Sequence, residues 1–329
     1  MQTKKFLPEG YKINTKENKY IVSSLSRLDG AMKAGDILEG IVMSCDSDCN
    51  MHVDLNGIHG VIKAADAQFC RPDEEWKSVA ILKRVGKPVS FKVLGIDTSG
   101  EEPVVKLSRR DAQMECQKEY LSNLVVGDIV PARVTKTDTF GTFVDIGCGI
   151  SALLPITRSS ISRVNHTNER FSVDMKLYVI VDSIDPITRR ITVSTRELFG
   201  TWEENASLFQ PEQTVVGKLR QVTDYGAFIE LTPNLIGLAE IHNLCVDVDT
   251  LKKHIGHSIA VFIKSMTPET MKIKLVIIDN GFTETDVPPP KYFVDAKNVR
   301  HISEWHYSPE SCTKRKIYTV FSESGTVKS

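Results

Sequence analysis

Phe140-Gly141-Thr142-Phe143-Val144-Asp145-Ile146 and Tyr225-Gly226-Ala227-Phe228-Ile229-Glu230-Leu231 are one strand written twice. Side chains alternate between faces along a strand. Val144 therefore shares a face with Ile146, and Ile229 with Leu231, and these are the core faces. The same alternation sets Phe143 beside Asp145, and Phe228 beside Glu230, on the face turned to water. A second aromatic, Phe140 or Tyr225, leads each glycine. Paired aromatics on a solvated sheet face suit the stacking of unpaired bases. That chemistry is the main functional expectation.

The repetition extends outward from these strands. Val126-Gly127-Asp128-Ile129 opens the middle copy and Val216-Gly217-Lys218-Leu219 is set opposite it as the opening of the last. Each copy closes on an alternating strand, Arg190-Ile191-Thr192-Val193-Ser194 and Lys272-Ile273-Lys274-Leu275-Val276. A fainter copy precedes them, from Ala34-Gly35-Asp36-Ile37 through His52-Val53-Asp54-Leu55 to Lys106-Leu107-Ser108-Arg109. Each unit is roughly 70 residues, the size of one small β domain.

Composition is compatible with this division. The chain has 329 residues, 41% of them hydrophobic and 25% charged, as in an ordinary globular protein of two or three domains. No apolar run has the length of a membrane span, and Met1 to Gly10 lacks the apolar core of a secretory signal. The expectation is a cytoplasmic protein without membrane contact. Seven scattered cysteines indicate reduced thiols. The net charge of −1 argues against a strong nonspecific nucleic-acid binder, so any RNA binding must come from local patches and stacking.

In the middle copy, five strands are expected at residues 129–136, 141–146, 151–155, 176–184 and 190–194, with a long insertion at 159–171 between the third and fourth. That describes the five-stranded Greek-key barrel called the OB-fold. The fold class is all-β: three tandem five-stranded OB-fold barrels joined by short α-helices. An N-terminal segment spans 1–33, its first 17 residues polar and expected to be disordered. Ile21, Val22, Leu25, Leu28 and Met32 then recur at helical spacing. A degenerate barrel is expected at 34–110, a helical connector at 111–125, a barrel at 126–195, a second connector at 196–212 and a barrel at 213–280. Residues 281–329 form a tail behind Pro288-Pro289-Pro290, with a possible hairpin between 301–307 and 316–321.

The sequence resembles the S1 RNA-binding motif family, first known from a protein of the small bacterial ribosomal subunit. The residues carrying the resemblance are Gly127-Asp128, the segment Thr139 to Asp145, Val193-Ser194-Thr195-Arg196 and Trp202-Glu203-Glu204-Asn205. In the last copy they are Asp224 to Ile229 and Ile236-Gly237-Leu238-Ala239-Glu240. The resemblance implies a face that binds single-stranded RNA, such as mRNA, with two aromatics, a histidine, an aspartate and an arginine. It carries over to Phe140, Phe143, Asp185 and Arg190 in the middle copy, where Pro155 stands at the histidine position. In the last copy it carries over to Tyr225, Phe228 and Lys272, with Thr267 at the aspartate position and Glu240 at the histidine position. The first copy keeps neither aromatic, since Cys49 and His52 occupy those places, and is expected to be structural or protein-contacting.

Weaker candidates surround these. Arg158, Arg163, His166 and Arg170 crowd the middle insertion and could grip phosphates; a solvated loop is the competing reading. His242 lies two residues past the histidine position of the last copy. Cys45, Cys49 and His52 have a spacing that could hold zinc, but no second ligand pair lies nearby, so no metal is expected. No glycine-rich phosphate loop, nucleophile motif or paired carboxylates occur, so neither an enzyme nor a cofactor is expected. The functional expectation is single-stranded RNA binding in translation or RNA handling, with the small ribosomal subunit as a possible partner. The alternative is a ribosome- or protein-docking scaffold whose aromatics are buried between domains.

Overall fold

The computed structural model describes residues 5–70, 78–240, 247–278, 281–285, 287–322 and 327–328. Helices α1 (Lys16–Val22) and α2 (Leu25–Ala34) lead into a first barrel of β1 (Leu38–Cys45), β2 (Met51–Leu55), β3 (Ile58–Ile62), β4 (Pro88–Asp97) and β5 (Val104–Ser108), with α3 (Ser78–Leu82) before β4. Helix α4 (Arg109–Glu119) precedes a second barrel of β6 (Ile129–Thr137), β7 (Gly141–Asp145), β8 (Ser151–Pro155), β9 (Lys176–Ile184) and β10 (Ile191–Ser194). After α5 (Trp202–Ala206), a third contains β11 (Thr214–Thr223), β12 (Gly226–Thr232), β13 (Leu235–Glu240), β14 (Ser258–Thr267) and β15 (Lys272–Ile277), with α6 (Val248–Lys253) before β14. In the tail, β16 (Glu304–His306) pairs antiparallel with β17 (Tyr318–Val320), and β17 with β18 (Val327–Lys328).

All three barrels close in the same order: the first three strands meander, the fifth lies beside the third, and the fourth returns to the first. The third and fifth strands of each barrel run parallel. Five antiparallel-rich strands closed by one parallel pair are the OB topology, and closure leaves no exposed edge.

The chain divides into two compact units. The first comprises residues 1–124, 131–133 and 145–151, and the second comprises 125–130, 134–144 and 152–329. The first barrel's core is apolar, with Val42, Met51, Leu55 and Phe91 fully buried. The third barrel's core holds Leu219, Ile229, Val261 and Ile263, and Trp202 of α5 packs against it. Thr201 caps α5, accepting from Glu204 N while Glu204 accepts from Thr201 N, which fixes where the connector turns helical. Only a 3₁₀ turn, Arg196–Phe199, precedes α5, so the expected second connector is one turn of each kind.

Three sequence readings are corrected. The apolar series from Ile21 to Met32 belongs to two helices, because Ser24 is extended and breaks the series, standing at the N-terminus of the second without a side-chain cap. Gly217 does not open the last barrel. It lies within β11, where a Cβ would meet Ile229, as a Cβ at Gly40 within β1 would meet Val53. The residue that opens the third barrel is Glu212, at φ 67°, in the left-handed position that Gly35 holds at 70° and Gly127 at 99°. A glutamate in a conformation glycine favours erased the repeat's most visible mark.

The third correction concerns the N-terminus. Residues 5–13, expected to be disordered, are packed into the first unit: Phe6 is buried and stacks on Tyr120, and Glu9 is buried. The Glu9 carboxylate accepts from Arg109 Nε at 2.6 Å and Nη2 at 3.1 Å. Burial alone would raise its pKa, but Arg109 and Arg84 outweigh that and hold it below the ordinary carboxylate value.

Glu39, on β1, is in the opposite state. Its Oε2 accepts from Lys12 N at 3.0 Å and Ile13 N at 2.8 Å, while Oε1 is buried with no hydrogen bond. Burial pushes its pKa up to about 7, against those bonds. A carboxyl whose folded pKa lies above its unfolded value contributes stability below the unfolded value, and loses it as pH rises through the folded one. Glu39→Gln should therefore flatten the decline in stability between pH 5 and pH 8, by at most about 3 kcal/mol. Denaturant melts of both proteins at the two pH values measure this.

Candidate nucleic-acid interface

Alternation along β7 and β12 sends Val144 and Ile229 into the cores, both at 0% exposure, and turns Phe143 and Phe228 outward, where they are half-buried. The leading aromatics stand in the preceding turns, Phe140 at 53% exposure and Tyr225 at 58%. Phe140 and Phe143 meet edge to face, centroids 5.9 Å apart and planes at 85°. Tyr225 and Phe228 repeat this at 5.9 Å and 89°. The intervening glycines make room for the next strand: a Cβ at Gly141 would stand 2.8 Å from Leu154 O, and one at Gly226 would press on Ala239 O. Aromatic, glycine, small residue, aromatic is thus a geometric requirement of placing two rings on one edge of a closed barrel.

A lysine stands beside the first pair, and the closing strands carry further exposed basic groups. Lys136 Nζ lies 5.8 Å from the Phe143 ring centroid and 2.6 Å from Asp138. Arg190, just before β10, and Lys272, which begins β15, are both exposed. Asp185 accepts from Thr188 N at 2.6 Å and Ile187 N at 2.9 Å, bonds that lower its pKa and shape the turn preceding Arg190.

The register adds a residue that sequence reasoning missed. Phe228 pairs with Leu238 on β13, and Leu238 pairs with Lys274 on β15. Lys274, 53% exposed and 3.5 Å from Glu240, therefore lies in the same cross-strand row as Phe228. The spacing Lys272-Ile273-Lys274 already put both lysines outward. Which of them shares the aromatic row depends on the parallel pairing that closes the barrel, and that is a long-range fact.

Other expectations change. Asp145 and Glu230 point out of their barrels as alternation requires, yet neither faces water. Asp145 accepts from Glu9 N at 2.7 Å, Gly147 N at 2.8 Å and Gly149 N at 3.0 Å, and burial pushes its pKa up to about 7. Glu230 accepts from Arg170 Nη1 and Nη2, both at 2.7 Å, and from Arg220 Nε at 2.8 Å. Burial would raise the Glu230 pKa; Arg170 and Arg220 hold it below the ordinary value.

Arg170 is therefore no phosphate grip, because its guanidinium is consumed by a buried carboxylate. Arg158 is similarly occupied, with Nε 3.3 Å from Asp182 and the side chain 16% exposed. His166 Nδ1 accepts from Asn168 N and caps the 3₁₀ turn Thr167–Glu169. Arg163 is exposed. His242 lies outside the described residues.

In the first barrel, His52 stacks on His59 with centroids 5.2 Å apart and rings at 11°, the two nitrogens 3.0 Å apart. His52 shares its cross-strand row with Val61 and Lys106, the counterparts of Leu238 and Lys274. Cys45 and Cys49 flank the preceding turn, and among the described residues no three metal-ligating groups converge.

Closed OB barrels presenting paired aromatics beside lysines have the architecture of nucleic-acid-binding domains. Residues 124–196 carry an S1 RNA binding domain, and the chain is distantly homologous to ribosomal protein bS1. It is 29% identical over 226 residues to small ribosomal subunit protein bS1 of Rhizobium meliloti, covering 67% of this chain and 38% of that one. To the bS1 homolog of Bacillus subtilis it is 28% identical over 232 residues, covering 68% and 56%. To bS1 of Pseudomonas aeruginosa it is 25% identical over 296 residues, covering 81% and 49%. The chain thus spans between a third and rather more than half of the length of these relatives. Among solved structures, a multidomain protein with nucleic acid binding domains from Streptococcus pneumoniae aligns over 75% of each chain at 14% identity, with a TM-score of 0.25. The fold assignment rests on the strand order above.

Phe143→Ala and Val144→Ala separate surface from core. Val144→Ala leaves a cavity and should cost about 1–3 kcal/mol of stability. Phe143→Ala should melt closer to the parent protein. Thermal unfolding of the two variants checks this, and the reverse order would place Phe143 in the core.

Proposed function

We propose that the protein binds unpaired RNA, laying bases on the Phe140–Phe143 and Tyr225–Phe228 pairs while Lys136, Arg190, Lys272 and Lys274 contact the backbone. The observation that carries this is the repeated geometry: two edge-to-face pairs with the same centroid separation, in one compact unit. Exposure of Phe140 and Tyr225 weighs against a scaffold in which the aromatics are buried between domains. Asp185 acts here through the turn that presents Arg190. The first barrel, with Cys49 and His52 where the aromatics would stand, serves as a structural or protein-contacting unit.

The proposal extends to setting. Kinship with bS1 supports mRNA as the ligand and the small ribosomal subunit as a partner, in the cytoplasm, with no catalytic step. Among the described residues no helix is long and apolar enough to cross a membrane.

Two measurements test the reading. Titration of the whole chain with a short unstructured RNA and with a hairpin stem of equal length should favour the single strand, because stacking needs an open base face. Equal affinities would refute a stacking platform.

Phe143→Ala and Phe228→Ala should each weaken single-strand binding by roughly ten- to a hundredfold, since stacking is worth about 1–3 kcal/mol per base. His52→Ala should leave affinity within about twofold, as no base stacks on the first barrel. The slope of log affinity against log salt should be no steeper than about −3, as four cations contact the single strand at about −0.7 each.

A further inference from the structure

The second unit contains a cleft of about 450 Å³ that the RNA reading leaves unused. One wall is the outer face of β11, with Val216 and Lys218; the other is the proline strap, residues 287–293. The strap is tied on both sides. Before it, Ser258 and Thr283 exchange backbone hydrogen bonds at 2.9 and 3.0 Å, and their neighbours Ser258 Oγ and Thr285 Oγ1 lie 3.1 Å apart. After it, Phe293 N donates to Leu198 O at 3.0 Å, and Tyr292 Oη accepts from Tyr178 N at 3.0 Å. Three consecutive prolines have fixed φ and no N–H, so the segment between these ties stays extended and does not fold into the space beside it. The cavity is thereby preformed, and its volume falls within the range of about 300–1,000 Å³ typical of small-molecule sites.

Its lining is apolar with an excess of positive charge. Val216 is 68% exposed, Leu208 56% and Phe293 38%, large apolar groups left facing the cleft and solvent. Arg170 and Arg220 at its floor are balanced by Glu230 and Glu169. Lys218 and Lys291 also line it, neither side chain held in an ion pair or hydrogen bond among the described residues, though Lys218 feels the Glu230 and Glu169 carboxylates nearby. The Arg170 guanidinium is engaged by Glu230 and its Nε is buried away from solvent, so the cations free to meet a ligand are the two lysines.

We propose that this cleft binds a small organic anion of nucleotide size, its phosphate or carboxylate on Lys218 and Lys291, its flat apolar body between Val216 and the strap. This site is distinct from the aromatic pairs and does not depend on the RNA reading. It is tested on the whole chain with 8-anilinonaphthalene-1-sulfonate, which combines a flat aromatic body with a fixed anion, followed by displacement with adenosine 5′-monophosphate and with naphthoate. The expected result is one saturable site, displaced by at least one of the two competitors. Lys218→Gln and Val216→Asp should each weaken it about tenfold or more, as loss of a charge-assisted hydrogen bond or gain of a like charge requires. Lys218→Arg should retain binding. Single-strand RNA affinity should stay within about twofold in all three variants, which separates failure here from failure of the RNA face. Non-saturable fluorescence, binding indifferent to both substitutions, or no displacement by either competitor below about 1 mM would overturn the proposal.

Discussion

A carboxylate that should have been in water holds the second unit together. Glu230 leaves β12 on the same side as Phe228, and its solvation is replaced by two guanidiniums, Arg220 from the neighbouring strand and Arg170 from the insertion of the preceding barrel. Desolvating three charges is expensive, and mutual attraction offsets it only when the geometry is good and the remaining hydrogen-bond sites are filled. Here both carboxylate oxygens accept from both arginines, and Arg220 also reaches Glu169 at 2.6 Å. Removing either arginine would strand a buried charge. The cluster therefore gives the 159–171 insertion one acceptable position, and with it fixes the barrel that carries Phe143 against the barrel that carries Phe228.

The equivalent strand position in the middle barrel meets the same problem with a different solution. Asp145 has no bidentate arginine. It is stabilised by three backbone N–H groups, one of them from Glu9, and Glu9 takes the Arg109 guanidinium for itself. The consequence is a division of protonation states. Glu230 and Glu9 are held ionised by arginine, whereas Asp145, buried beside Glu9, is pushed towards neutrality. One repeat position thus carries an ionised group in one barrel and a neutral-leaning one in the other, decided by what packs over it.

Much of this architecture was legible because strand alternation is a local rule. The five strands of the middle barrel, the outward turn of Phe143 and Phe228, and the burial of Val144 and Ile229 all follow from period two. What failed was whatever depended on a segment distant in sequence. Alternation put Asp145 and Glu230 outside their barrels correctly, but could not show that Glu9 and Arg170 cover them. Arg170 read as a phosphate ligand because a lone arginine in a basic loop gives no sign of its carboxylate 60 residues away. Gly217 misled for another reason: a glycine in a strand interior resembles a glycine at a strand start, and Glu212 adopts the left-handed turn without announcing it. Lys274 was missed because parallel closure, rather than sequence spacing, aligns it with Phe228.

The perpendicular setting of the ring pairs has a consequence for the shape of whatever lies on them. In a stacked single strand, successive bases are parallel. Rings at 85° and 89° present no pair of parallel surfaces, so a strand with one base on each ring must break its own stack and bend sharply between those two nucleotides. A platform acting as proposed would select for ease of bending. Uridine-rich stretches, which stack weakly on themselves, give up little on entering, whereas runs of adenine must first surrender a helix of their own. Discrimination of this kind would need no hydrogen bond to any base edge: rings so set would read the stiffness of the strand.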